Sequence, residues 1–190
     1  MILSSVSLLI LGVIWGTSLV DKGRSLLSRH HWGIFYASAL ILFSFATYLG
    51  ARQFIATYEH PIGRFFDVGY VLIFGIGVRI FLPYLVSLIF AFIFMSVASA
   101  YNKKYNERFF EKEEIQMGGL SLLLVGHPGW IFYLPSVIFI YLVLHVYHTL
   151  IHGGGARLPV YHLWVPIAIF VILISKYWIV NTVIWSLLRI

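Results

Sequence analysis

The chain has no cysteine among its 190 residues. This removes disulfides, thiolate metal sites, iron–sulfur clusters and cysteine nucleophiles together, so any metal would have to rest on histidine, carboxylate or backbone oxygen. Charge is also scarce, at 11% of residues, and only seven residues are acidic. None of them lies beyond Glu114, which leaves the C-terminal part without a carboxylate for acid–base work or for orienting a ligand histidine. No serine–glycine elbow, helical His-Glu-x-x-His pair or aspartate-rich phosphotransferase motif occurs. The chain also lacks a repeat period, linker or low-complexity tract that would separate a second domain, so residues 1–190 read as a single domain.

Apolar length is abundant. Hydrophobic residues make up 61% of the chain, in runs of more than about eighteen residues without a charge, the pattern expected when most of the chain is solvated by lipid. The runs cover about 2–20, 33–56, 67–101, 118–152 and 158–188. The first lacks the basic leader and small-residue cleavage site of a signal peptide and reads as a retained membrane helix. Pro61 and Gly63 close the second run. The third, at about 35 residues, would rise about 52 Å as one straight helix against a hydrocarbon layer of roughly 30 Å. It therefore has to be broken, strongly tilted or projecting, and "GIGVRIFLPY", with Arg79 and Pro83, is the natural break. The fourth run is interrupted by "GHPGW". The expected fold is an all-α, polytopic membrane bundle of about five transmembrane helices, with four to six allowed.

Thirteen Lys and Arg against seven acidic residues give a net charge of +6. In a chain this apolar, the excess points to basic loops beside anionic lipid headgroups rather than to nucleic acid. The one long hydrophilic segment, 101–117, carries Lys103, Lys104, Arg108 and Lys112 together with Glu107 and Glu111, and reads as a polar loop or a solvated helical extension. With five spans, this segment shares a side with Lys22, Arg24 and Arg29, and the positive-inside rule makes that side cytoplasmic or matrix-like. Lys103, Lys104, Arg108 and Arg157 are the expected lipid or partner contacts. Asp67 and Arg79 are expected to pair within the membrane, which would offset the cost of burying either one.

His145, His148 and His152 follow an i, i+3, i+7 spacing, which places them on one stripe of a helix, and His162 can return to it across "GGGAR". Two imidazoles from neighbouring helices suit a haem, whereas a closed zinc site needs four protein ligands. The competing assignment places His148 and His152 at headgroup level with Tyr147, Tyr161 and Trp164, as part of an aromatic belt. "GGGAR" lacks the lysine–hydroxyl ending and the preceding strand of a nucleotide loop. It reads as a helix–helix turn, with Arg157 free to meet lipid phosphate.

Several segments, in order, resemble the prepilin peptidases. "LGVIWGTSLVDKGR" is similar to that family's glycine-rich first helix, and "FFDVGYVLIF" to the segment bearing its first catalytic aspartate, here Asp67. "IQMGGLSLLLVGHPGW" is similar to the second-aspartate helix, and "GGGARLPVYHLWVPIAIF" to the closing helix. The resemblance implies an intramembrane aspartic peptidase fold. The second catalytic position falls at Gly118 or Leu120, neither of which ionises, so the paired-carboxylate chemistry is not preserved.

Three functional readings follow. The first is a non-catalytic integral membrane subunit packed within a larger membrane assembly, with the bilayer and other membrane subunits as its partners. The second is a histidine-ligated haem or metal electron-transfer subunit, and the third a degenerate peptidase-like or transporter-like protein built on interrupted helices.

Overall fold

The computed structural model describes residues 2–20, 25–27, 29–60, 65, 67–106, 110–152 and 161–177, with the side chains of Lys112, His152, Tyr161 and His162 outside that description. Among these residues all regular structure is helical. The helices are α1 (Ile2–Ser18), α2 (His31–Glu59), α3 (Val68–Lys104), α4 (Lys112–Val125), α5 (Gly129–His152) and α6 (Tyr161–Tyr177). Three of them, α2, α3 and α5, are long and apolar enough to cross a membrane. Helices α1 and α6 are apolar but shorter, at 17 residues each.

The third apolar run does not reverse at its glycines and proline. It continues as one 37-residue helix, α3, in which Val71–Phe81 is π-wound and Leu82–Lys104 is α-wound. The change of winding falls where the sequence places the break. The Leu82 N–H closes the last wide turn on the Gly77 carbonyl, and Pro83 lies in the first turn of the α-wound part, where a missing N–H leaves little unsatisfied. The run is therefore continuous, which leaves tilt or projection as the ways a helix of this length can meet a bilayer.

Helix α2 runs antiparallel to α3. Near its C-terminal end, Gln53 Nε2 donates to the Gly75 carbonyl at 3.4 Å; near its start, the Phe35 ring packs edge-on to Phe92 at 5.6 Å. The fourth apolar run, expected as one interrupted span, is two helices. Gly126 has φ +74°, a conformation that side-chain-bearing residues rarely adopt, and an added Cβ there would lie 3.2 Å from the Tyr84 ring. Beside it the His127 N–H donates to the Pro83 carbonyl at 3.1 Å. These contacts pin the turn after α4 to the beginning of the α-wound part of α3, so α4 lies antiparallel to α3.

The core forms around α4. Its Leu120, Leu122, Leu123 and Leu124 are almost wholly buried, as expected of a helix apolar on every face. Lipid tails are as apolar as leucine, so cohesion here depends on close packing between helices more than on escape from water. Small residues provide that closeness. A Cβ on Gly118 would lie 2.8 Å from the Phe94 ring and 3.2 Å from Trp164, and one on Gly119 would lie 2.6 Å from the Met95 thioether.

The start of α2 and the end of α3 lie at one end of the bundle, because His31 and Lys103 line the same cleft. The absence of native cysteine makes this testable. Single cysteines at the exposed positions His30 and Asn106 are expected to react with an impermeant maleimide from the same face of sealed vesicles, and labelling from opposite faces would defeat the arrangement.

Candidate functional site

Helix α5 is anchored at its beginning and free over its second half. The Trp130 ring stacks on Phe90 at 4.0 Å. Tyr133 is fully buried and its hydroxyl donates to the Trp164 carbonyl at 3.0 Å. Val137 is the last buried residue of α5, and beyond it Ile138, Phe139, Leu142, Val146 and Leu150 are exposed.

This free half carries the histidine stripe. His145 lies within the apolar run but faces away from the bundle, exposed, with its ring stacked on Tyr141 at 5.9 Å and 15°. His148 is half-buried one turn further on. His152 is the last residue of α5 and His162 lies in the first turn of α6, but their side chains lie outside the described residues, as do "GGGAR" and Arg157. Among the described residues no three side chains of His, Asp or Glu are gathered closely enough to hold a metal ion.

The structure does not bring Asp67 and Arg79 together. Asp67 caps α3, where its Oδ1 accepts the Gly69 N–H at 3.1 Å. A carboxylate is favoured there by the unpaired N–H groups and the dipole of the helix N-terminus. The π-wound stretch from Val71 then intervenes before Arg79, which is exposed, and no ion pair joins the two. Consequently, Asp67→Asn, which keeps a capping oxygen, is expected to change stability by less than about 0.5 kcal/mol, and Asp67→Ala to cost about 1 kcal/mol in a denaturation series in detergent. Equal losses for the two variants would show that the negative charge matters beyond capping. Gly118 and Leu120, where the sequence resemblance would put a second aspartate, are buried in α4. Gly118 packs on Phe94, in the second half of α3, whereas Asp67 stands at the opposite end of that helix.

Of the segment 101–117, residues 101–104 complete α3 and 112–117 open α4, while 107–109 lie outside the described residues. Helix α3 ends at Lys104, and the chain turns through Tyr105 and Asn106, the latter at φ 56°. Lys103 and Lys104 are exposed, with the Lys104 ammonium 5.6 Å from the Tyr105 ring centre, while Arg108 lies outside the described residues. Buried Asn102 holds the turn. Its Nδ2 donates to the Phe110 carbonyl at 2.6 Å and its Oδ1 accepts the Phe110 N–H at 3.0 Å. Glu111 and fully buried Glu114 then close a reciprocal capping box at the start of α4. The sequence signal for this start is the acid-x-x-acid spacing directly before an apolar run; nothing comparable marks Asn102.

No protein-family model, curated protein or solved structure matches this chain.

Proposed function

We propose that the chain is a non-catalytic integral membrane subunit that packs against another membrane protein through the second half of α5. In this arrangement α1 and α6 cross the bilayer beside α2, α3 and α5, giving five spans. The observation that carries the proposal is His145. An imidazole held on an outward face among Leu142, Val146 and Leu150 is costly against lipid tails, and polar groups at such depth typically pair with a polar group on a neighbouring helix. Interhelical hydrogen bonds of this kind contribute about 1–2 kcal/mol in model peptides.

Replacing His145 with Ala is therefore expected to weaken the assembly about tenfold, by the conversion of 1.4 kcal/mol per decade, with no loss of monomer stability because its described contact is the Tyr141 ring alone. A photocrosslinker at Leu150, which is 80% exposed, should join one protein species, whereas the same group at Leu9 on α1 should join lipid. Crosslinks to lipid at both positions would sink the proposal. An absorption spectrum of the purified assembly separates the haem alternative, which requires a visible band that is lost in the His145→Ala variant.

A further inference from the structure

We infer that the cleft shared by the start of α2, the end of α3 and the start of α4 binds one anionic glycerophospholipid, with its phosphate at Lys103 and an acyl chain along Phe92 and Met95. The cleft has a volume of about 680 Å3, and its lining is graded along α3. Phe92 and Met95 form the apolar part, Ser96 and Ser99 follow, and Asn102 and Lys103 close the sequence at the helix end. The spacing from 92 through 95, 96, 99 and 103 keeps these residues on one helical face. The face therefore changes from hydrocarbon to hydroxyl to cation in the order in which a phospholipid changes from chain to ester to phosphate. From α4, Ile115 extends the apolar part and Gln116 the polar part, while α2 contributes His31 and Trp32 at the mouth. Tryptophan favours this level of a bilayer because one end of the ring is apolar and the other carries a donor.

Charge decides the ligand class. Arg29 and Lys104 are exposed around the same end, and basic residues near a bilayer surface attract anionic lipid. Of the acids at the start of α4, Glu111 and Glu114 accept backbone N–H groups there, and Glu113 is half-buried and not part of the cleft lining. A second groove, of about 470 Å3 between α3 and α5, is lined by Phe90, Phe94, Val97, Leu122 and Leu134 and offers no polar side chain at its wall beyond Tyr101. It can accept a chain from any lipid and has no means of selecting a headgroup.

The test is native mass spectrometry of the full chain released from phosphatidylcholine bilayers containing a minor fraction of phosphatidylglycerol. The expected result is one phosphatidylglycerol retained at least about fivefold over its bulk fraction, the ratio given by roughly 1 kcal/mol. That preference should be lost in Lys103→Gln, restored in Lys103→Arg and lost in Ser99→Leu, which fills the middle of the cleft while keeping the charge. Lys104→Gln, outside the lining, should retain it. The four substitutions fall at three exposed positions, Ser99, Lys103 and Lys104, so a gel-filtration profile matching the parent confirms that each variant is folded. Equal retention of the two lipids would overturn the inference. So would equal losses in Lys103→Gln and Lys104→Gln, which would indicate diffuse attraction only, or displacement of the lipid by millimolar inorganic phosphate, which would indicate a plain anion site.

Discussion

Replacing Gly118 with Val lowers the stability of the bundle by about 3 kcal/mol, the upper part of the range for forcing extra carbon into a packed core. The substitution is severe because both neighbours are aromatic rings. A first carbon at this position already lies 2.8 Å from Phe94 and 3.2 Å from Trp164, and neither ring can bend away as a flexible chain does. Trp164 is further fixed by its own surroundings, where Phe94 packs edge-on at 5.6 Å and Tyr133 bonds its carbonyl. Relief therefore requires α3 or α6 to move off α4, which opens the centre of the core. The measurement is a denaturation series in detergent followed by gel filtration, with Gly12→Ala as the contrast. Beyond its own helix backbone and chain neighbours, nothing lies within 4 Å of a Cβ at Gly12, so alanine there should stabilise by up to about 1 kcal/mol through helix propensity alone. If Gly118→Val and Gly12→Ala behave alike, the close packing of α4 is wrong.

Asn102→Leu carries the second large effect, about 2–6 kcal/mol. The leucine is apolar and similar in size, so little packing is lost. What is lost is the pair of bonds to Phe110, whose N–H and carbonyl are both left without their partner beside a buried side chain at a cost of about 1–3 kcal/mol each. The consequence is local before it is global, because these bonds tie the end of α3 to the entry of α4. Tryptic cleavage at Lys103, Lys104 or Lys112 should accelerate by more than tenfold in the variant while cleavage at Arg79, toward the far end of the bundle, stays at the parent rate. Cleavage at the parent rate would show that Asn102 does not hold the turn.

The helical class and the lengths of α2 and α3 were legible in the sequence because lipid-scale apolar runs have no other stable form: backbone groups away from water are satisfied within a helix. The break expected at Pro83 is not there: the helix continues through it and only its winding changes, because a proline in the first α-wound turn removes an N–H that needs no partner. The basic ends of α2 and α3 lie at one end of the bundle, where His31 and Lys103 share a cleft. The burial of α4 was not legible. "IQMGGLSLLLV" reads as the beginning of one more apolar run, and hydropathy does not distinguish a leucine facing lipid from one facing protein when both surroundings are hydrocarbon. Only the approach of Phe94, Met95 and Trp164 to Gly118 and Gly119 makes it the centre of the core. The same limit applies to the polar groups. Spacing placed His145 and His148 on one stripe and suggested that Asp67 could reach Arg79, but spacing carries no information on which way a stripe faces or whether the helix between two charges stays continuous. The tertiary structure turned His145 outward and gave Asp67 to its own helix end, because contacts across the fold set a helix's rotation and its breaks, while sequence periodicity describes each helix only relative to itself.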